Sequence, residues 1–305
     1  MEAKLDGGLF LPKKVVQINR VTYKYRSGSF HALTNVSLDI YEGDFLLLVG
    51  FSGSGKSTLL KTINGLVPNF YAGSFGGDVS IYDEKITEKD TALLAKKVGF
   101  VFQNPENQLS SLTIEREIAF PLENFGVPRD EMIARIDELI TLLDIEKIRF
   151  KSPFAISGGE QQLAAIAAAL ALDPPILVLD EVTAHLSPKS ANELLTKLFE
   201  LNQEYNKTII ISEHRLDRCI HFANKMAYIE EGYLKAFGKP QEVLENQNYP
   251  KELLPKIPTI YLKLQEETKN FSTLSKHYTF ISNRDSVPLT TNDFMSIFSK
   301  EGERK

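Results

Sequence analysis

An apolar run that stops at a glycine-rich turn restricts the possible folds of this chain more than any other part of the sequence does. Residues 45–49 read FLLLV, as expected of a strand that is buried on both faces. Residues 50–58 then read GFSGSGKST and match the P-loop pattern, which needs a strand before it and a helix after it. We therefore predict a central strand that ends at Gly50 and a helix that begins at Lys56. An ordinary glycine-rich turn is the alternative, and it does not account for the complete motif in this position.

The residue types in this turn suit a phosphate group. Glycines allow the backbone to fold back so that successive N–H groups and the N-terminus of the helix face an anion. In such a turn Lys56 reaches the β- and γ-phosphates, and the hydroxyl of Ser57 can bind Mg²⁺. The residues predicted to hold the nucleotide here are Gly50, Ser52, Gly53, Ser54, Gly55, Lys56, Ser57 and Thr58.

Other patterns place this turn in an α/β fold. Residues 15–25 and 35–40 alternate apolar and polar side chains, which predicts half-buried antiparallel strands. Residues 98–102, 176–180 and 208–212 are short apolar runs separated by helical stretches, an order typical of a mostly parallel sheet. We expect a parallel-sheet core with an antiparallel β layer formed by the N-terminal residues.

The chain divides into three regions on the same evidence. Residues 104–155 carry apolar side chains at helical spacing and predict an inserted helical subdomain. We expect it to interrupt one main domain over residues 15–244, which is followed by a small C-terminal extension over residues 245–305. Two amphipathic helices are predicted in that extension, at residues 260–268 and 291–298.

A P-loop alone is compatible with kinases, GTPases, helicases and transporters, and a second acidic strand narrows the choice. Residues 176–181 read ILVLDE, an apolar strand that ends in two carboxylates. Asp180 suits a water-mediated contact with Mg²⁺, and Glu181 is placed to orient or deprotonate an attacking water. The pair predicts hydrolysis of the bound nucleotide, and a solvated turn at the end of a strand is the alternative.

Composition and charge argue against several other classes of protein. With 305 residues, 43% of them apolar, the chain can build a packed core, which argues against disorder. A formal net charge of −5 gives no positive field to attract DNA or RNA.

The single cysteine, Cys219, and a start without a secretory signal predict a location in the cytoplasm. The longest apolar run, residues 163–172, is about half of the roughly 20 residues that a bilayer-spanning helix needs, so another polypeptide would have to supply any membrane span.

A motif upstream of the acidic strand points to one class of P-loop protein. Residues 156–162 read ISGGEQQ and precede an alanine-rich helical stretch. They resemble the signature motif of ABC ATPases, which implies a P-loop NTPase of the ABC type with ATP and Mg²⁺ as its cofactors. The resemblance also implies that Ser157, Gly158 and Gly159 contact the γ-phosphate of ATP held by an opposite subunit. A head-to-tail dimer with composite sites is therefore expected.

The same resemblance assigns roles to three further residues. Tyr25 would stack on adenine, Gln103 would belong to the Q-loop and contact Mg²⁺, and His214 would be the switch histidine. Each of the three also has a structural interpretation. Tyr25 shares a strand face with core residues and would then be part of the core. Gln103 follows an apolar strand and His214 is a lone histidine, and such residues are often purely structural. The order of the motifs favours the functional roles, with Glu181, His214 and Gln103 as the catalytic residues.

Three segments resemble one branch of the ABC ATPases, the energy-coupling-factor type. They are FQNPENQL at 102–109, SEHRLD at 212–217 and VPLTTNDF at 287–294. The resemblance implies an ATPase at the cytoplasmic face of the cell membrane that energises uptake of a vitamin or of cobalt or nickel ions. Its partners would be a second ABC ATPase subunit, an integral transmembrane subunit and a substrate-binding membrane subunit, and no nucleic acid. The alternatives are a soluble ABC ATPase that is not coupled to transport and a regulatory subunit that binds ATP without hydrolysing it.

Three positions depart from the family pattern. Leu163 stands where arginine is common, Val182 where proline is usual, and Ser187 where the D-loop commonly has aspartate. Leu163 either packs in an apolar stripe or weakens the link between the signature and the helical subdomain. Because Glu181 is present and Ser187 is altered, we hypothesise that the chain has a hydrolysis-competent site and pairs with a related, non-identical ATPase.

Overall fold

Two β-sheets, a further strand pair and the surrounding helices are seen in a computed structural model that describes residues 13–268, 278–280, 287–296 and 298–300. The strands, in chain order, are β1 (Lys14–Tyr25), β2 (Leu33–Tyr41), β3 (Phe45–Val49), β4 (Gly73–Ile81), β5 (Glu84–Lys85), β6 (Val98–Val101), β7 (Ile176–Asp180), β8 (Thr208–Ser212), β9 (Lys225–Glu230), β10 (Tyr233–Gly238), β11 (Tyr278–Phe280) and β12 (Phe298–Lys300). The α-helices are α1 (Lys56–Ile63), α2 (Leu66–Asn69), α3 (Thr91–Leu94), α4 (Ile114–Asn124), α5 (Arg129–Leu142), α6 (Gly158–Leu170), α7 (Pro188–Tyr205), α8 (Pro240–Leu244), α9 (Lys256–Thr268) and α10 (Thr291–Met295).

The central sheet has six strands in the order β10-β9-β3-β8-β7-β6. The strands from β9 to β6 run parallel, and β10 runs antiparallel to β9. Every residue of β3, β7 and β8 is buried, because each face of the sheet contributes side chains to a separate core cluster. The predicted parallel-sheet core is confirmed, and β3 is its central P-loop strand.

The second sheet is antiparallel, with the strand order β2-β1-β4-β5. Its apolar face packs on the central sheet, since Ile18 and Tyr23 of β1 share a core cluster with Leu46 and Leu48 of β3. The predicted antiparallel layer is therefore confirmed. Strand β4 was not predicted, because its sequence GSFGGDVSI carries three glycines and few apolar side chains. Its conformation is determined by its pairing with β1.

Helices α4 and α5 form the helical region predicted between residues 104 and 155. Thr113 begins α4 as its N-cap, because its side chain accepts a hydrogen bond from the N–H of Arg116. The guanidinium of Arg149 donates from Nε to Glu115 at 2.8 Å and from Nη1 to Asp137 at 2.6 Å. Arg149 lies in the segment that leads to α6, the helix that begins in the signature motif. Its two bonds connect this segment to both α4 and α5.

The core continues past residue 244, where the C-terminal extension was predicted to begin. Tyr249 is buried, and its ring packs edge-on against Tyr228 with 5.1 Å between the ring centroids. Leu253 and Leu254 pack against the same core cluster. The division of the chain into residues 15–244 and 245–305 stays a prediction.

Both predicted C-terminal helices are present, with different bounds. Helix α9 begins at Lys256 rather than at residue 260. Helix α10 ends at Met295 rather than at Phe298, because Phe298 belongs to β12 and pairs with Phe280 of β11. Here pairing between strands overrides the local helical pattern. In the part of the chain that the structure describes, no helix combines the length and the apolar character needed to cross a membrane.

Candidate active site

The glycine-rich turn lies between β3 and α1, as predicted. Two of its glycines allow close approach of other backbone segments. A Cβ atom on Gly50 would lie 2.2 Å from the carbonyl oxygen of Ile229, and one on Gly55 would lie 2.4 Å from that of Ala32. Gly55 also has a φ of 110°, a conformation that favours glycine. Any larger residue at either position would displace the turn.

Lys56 is held inside this turn. Its Nζ donates hydrogen bonds to the carbonyl oxygens of Gly50 at 3.0 Å and Phe51 at 3.1 Å, and its side chain is 3% exposed. Burial lowers the pKa of the Lys56 ammonium, while the charges of Glu181 and Asp180 raise it. A buried cation in a turn rich in backbone N–H groups fits a phosphate chain.

Ser54 adds a further polar group to the turn. It is buried, and within the described residues its Oγ has no hydrogen-bond partner. A buried hydroxyl without a partner is rare in folded proteins and favours a ligand that supplies one. This observation again fits a phosphate oxygen.

The two acids at the end of β7 have different surroundings. Oδ1 of Asp180 accepts a hydrogen bond from Oγ of Ser212 at 2.7 Å, because β7 and β8 place these residues opposite each other. Glu181, one residue further, has a left-handed φ of 50°, and its N–H donates to both the carbonyl oxygen and Oγ of Ser212. The turn therefore separates two neighbouring carboxylates.

Three side chains converge on the carboxylate of Glu181. Nε2 of His214 lies 2.6 Å from Oε1, and Nε2 of Gln103 donates to Oε2 at 2.8 Å. The ammonium of Lys56 lies 3.7 Å from Oε1. The structure thus brings together the three predicted catalytic residues and the P-loop lysine. A carboxylate held in this way can orient a water molecule and accept its proton.

Oxygen donors for a divalent cation belong to this group or adjoin it in the chain. Ser57 is in the first turn of α1, Asp180 ends β7, and the side-chain oxygen of Gln103 is left free to accept when its Nε2 donates to Glu181. Hydroxyl, carboxylate and amide oxygens are the ligand types that Mg²⁺ prefers. These three residues could therefore hold the ion, and the metal site stays a prediction.

Tyr25 lies at the edge of the core and beside the P-loop helix. Its hydroxyl is 3.1 Å from Oγ1 of Thr58, and its half-buried ring packs edge-on against Tyr23 and Tyr71. Tyr23 is fully buried, so the two tyrosines on this strand face have different surroundings. The position is compatible with stacking on a base, and that role stays a prediction.

The signature residues lie apart from the P-loop of the same chain. Ser157 is the N-cap of α6 and forms a reciprocal capping box with Glu160, while Gly158 is exposed. Among the described residues, no hydrogen bond or ion pair joins Ser157, Gly158 or Gly159 to the P-loop. Their N–H groups at an accessible helix N-terminus are available to a phosphate from elsewhere.

Each of the three departures from the family pattern has a structural account. Leu163 packs partly buried against the core, which favours the packing interpretation, and Val182 is fully buried. The Oγ of Ser187 accepts from the N–H of Ser190 at 3.2 Å and caps α7. Serine and aspartate are comparable N-caps, so this substitution keeps the start of the helix while it removes a charge.

Two residues to which the sequence motifs assign no role help to hold the site together. Ser212 orients Asp180 and the backbone of Glu181, and Gln162 on α6 donates from Nε2 to the carbonyl oxygen of Gln103 at 3.3 Å. Both partners are distant in sequence. The signal for Ser212 is its place at the end of a buried strand, one position before the Glu-His pair of SEHRLD.

Comparison with known proteins gives close relatives. The profile of the ABC transporter family matches residues 33–184. A protein of Pyrococcus horikoshii named as an ABC transporter ATP-binding protein is 39% identical over 80% of this chain and 86% of its own length. The energy-coupling factor transporter ATP-binding protein of Mycoplasma mobile is 39% identical over 76% of this chain and 83% of its own length.

Two solved structures are also similar. The first is cbiO1 from Clostridium perfringens, part of the ABC transporter complex cbiONQ, with 28% identity and a TM-score of 0.70 over 84% of this chain and 96% of that one. The second is an ATP-binding cassette solved as a dimer in a post-hydrolysis state with ADP and Pi, with 32% identity and a TM-score of 0.65 over 74% and 99%. With relatives of this identity over most of both chains, the protein belongs to the ABC transporter ATP-binding proteins, the ATPases whose hydrolysis of ATP energises transport.

Proposed function

We propose that this ABC ATPase is the nucleotide-binding subunit of an energy-coupling-factor type importer for a vitamin or a transition-metal ion. The hydrolytic part of the proposal is carried by the convergence of Gln103, His214 and Lys56 on the carboxylate of Glu181. The similarity to the energy-coupling factor protein of Mycoplasma mobile and to cbiO1 supports the branch. The segments at 102–109 and 212–217 support it as well.

In the proposed site the P-loop binds the phosphates of ATP. The backbone N–H groups of residues 50–58 and the ammonium of Lys56 face them, and Lys56 exchanges its hydrogen bonds with Gly50 and Phe51 for phosphate oxygens. The ring of Tyr25 stacks on adenine next to Thr58. Mg²⁺, when bound, neutralises phosphate charge and aligns the phosphates, and Ser57, Gln103 and Asp180 hold it.

Glu181 is the proposed general base. It takes a proton from the water that attacks the γ-phosphate. The Nε2–H groups of Gln103 and His214 fix its two oxygens, so that the carboxylate meets this water in one orientation. Such positioning accounts for a large part of the rate in phosphoryl transfer.

A second subunit completes the proposed site. Ser157, Gly158 and Gly159 are accessible at the start of α6 and face the γ-phosphate bound by an opposite ATPase. Because Ser187 removes the D-loop carboxylate, we propose a related, non-identical ATPase as the opposite subunit. Transmembrane and substrate-binding membrane subunits complete the assembly, with this chain at the cytoplasmic face of the membrane.

Steady-state ATPase measurements test the proposal. ATP turnover is measured for the purified chain alone and after co-expression with the proposed partner ATPase and membrane subunits. The Glu181→Gln variant is measured under the same conditions. We expect turnover to rise with the partners and to fall by at least about a hundredfold in Glu181→Gln. We also expect ATP to hold that variant as a dimer in size-exclusion chromatography. The matched control is Glu193→Gln, which changes an exposed carboxylate on α7 in the same way and should turn over ATP normally.

Different failures would contradict different parts of the proposal. Rapid turnover by Glu181→Gln would show that another residue is the base. Binding of ATP without turnover in any mixture would indicate a regulatory subunit. Turnover without co-purification of any membrane protein would indicate an ABC ATPase that is not coupled to transport.

A further inference from the structure

Glu213 is a buried carboxylate beside the candidate active site. It follows the end of β8, directly before His214, and is 3% exposed. Acidic side chains are seldom buried to this degree without a specific partner. None of the steps proposed for ATP hydrolysis uses this residue.

The contacts of Glu213 join two loops of the site. Its Oε1 accepts a hydrogen bond from the N–H of Thr183 at 3.2 Å. Thr183 lies two residues after Glu181 in the loop that leads to α7, and it is buried as well. This hydrogen bond therefore connects the Glu181 loop to the residue directly before His214.

The N–H of Thr183 donates to a carboxylate that has no cation partner. Within the described residues, no Lys, Arg or His side chain forms an ion pair with Glu213. Burial raises the pKa of Glu213, and the charge of Glu181 raises it as well, whereas hydrogen bonding with Thr183 lowers it. An apolar side chain would fill this space without the cost of burying an acid. What the carboxylate supplies instead is directional hydrogen bonding.

The contact between the imidazole of His214 and Glu181 depends on how the two loops are held relative to each other. The imidazole reaches Oε1 of Glu181 at 2.6 Å, a distance that small rotations of either loop would lengthen. Glu181 and His214 follow different strands, β7 and β8. A bond between the two loops close to both residues limits such rotations.

We propose that Glu213 is a positioning residue whose hydrogen bond with Thr183 holds the backbone directly before His214 and so fixes the imidazole of His214 against the carboxylate of Glu181. This inference rests on the roles proposed above for Glu181 and His214. Glu213 itself touches neither ATP nor the attacking water.

The test replaces Glu213 by leucine and by glutamine in the full-length chain assembled with its partners. Glu213→Leu removes the hydrogen bond with Thr183, and we expect kcat to fall about tenfold while KM for ATP changes less than about twofold. Glu213→Gln keeps one acceptor oxygen and should lie between Glu213→Leu and the unaltered protein. The matched control is Asp44→Leu, which removes a buried carboxylate that accepts from Tyr41 at the other end of β3 and should leave kcat unchanged in the folded protein.

A second measurement observes His214 directly. In protein labelled with ¹⁵N-histidine, the imidazole resonances of His214 are assigned by their loss in His214→Ala. We expect them to shift in both Glu213 variants and to stay in place in Asp44→Leu. If Glu213→Leu does not fold, Glu213→Gln still provides both measurements.

Two results would overturn the inference. One is a kcat for the folded Glu213 variants equal to that of the unaltered protein, and the other is an unmoved His214 imidazole. Failure of the proposed function gives a different pattern, in which Glu181→Gln and His214→Ala retain full turnover. If these two variants lose turnover and the Glu213 variants do not, only the positioning role is wrong.

Discussion

Glu181 combines a strained backbone with a closely held side chain. A non-glycine residue at a φ of 50° costs on the order of 1 kcal/mol. Two hydrogen bonds from its N–H to Ser212 help to hold this turn. The turn sends the side chain toward Gln103 and His214, while Asp180 stays against Ser212. A single left-handed residue thereby gives two adjacent acids different surroundings.

Cys219 provides a probe of the folded core. It is the only cysteine of the chain, it is fully buried, and burial raises the pKa of its thiol well above the usual range. Since the thiolate is the reactive form, we predict that iodoacetamide labels the native protein at pH 8 at least about a hundredfold more slowly than it labels protein in denaturant. Mass spectrometry of timed samples measures both rates. Equal rates would show that the thiol is accessible in the native state.

At the scale of single elements, the N-terminus of α6 has two separable roles. Ser157 caps the helix through Glu160, and its loss in Ser157→Ala should lower the free energy of unfolding by about 1 kcal/mol. Ser157→Asp keeps a capping acceptor and places a negative charge where the γ-phosphate is proposed to bind. We predict that Ser157→Asp unfolds near the temperature of the unaltered protein but loses ATP-dependent dimerisation.

Thermal unfolding and size-exclusion chromatography with ATP measure the two effects separately. Ser152→Ala is a suitable control, because Ser152 caps a short 3₁₀ turn upstream of α6 and should leave the ATP-dependent dimer intact. A Ser157→Asp variant that still dimerises with ATP would contradict the proposed phosphate contact.

The elements differ in how far the sequence reveals them. Strands β3, β7 and β8 are continuous apolar runs, and their bounds could be predicted because burial on both faces leaves this pattern. The P-loop and the acid pair could be predicted from residue order. Strand β4 and the end of α10 could not, since pairing with distant strands determines them. The contacts of Ser212 and Glu213 depend on the register between β7 and β8, which no local pattern contains.

For the whole molecule, the last part of the core decides where the chain can be shortened. A chain that ends at Asn246 lacks Tyr249, whose buried ring packs on Tyr228. We predict that this truncation costs about 3–5 kcal/mol of stability, as for removal of a buried aromatic ring. A chain that ends at Leu254 keeps this contact and should unfold at a temperature close to that of the full-length protein. Calorimetry of both chains checks the prediction, and equal unfolding temperatures would contradict it.

The order of the strands also has a consequence for the growing chain. Strand β3, which leads into the P-loop, lies between β8 and β9, and both are translated long after it, from Thr208 to Glu230. While the ribosome is still adding the helical region, the phosphate-binding turn therefore has neither of its neighbouring strands. The two neighbours cannot pair with β3 before they have been synthesised. We therefore expect a nascent or prematurely terminated chain to carry the nucleotide motif without these neighbouring strands, and to bind ATP only when synthesis has passed residue 230.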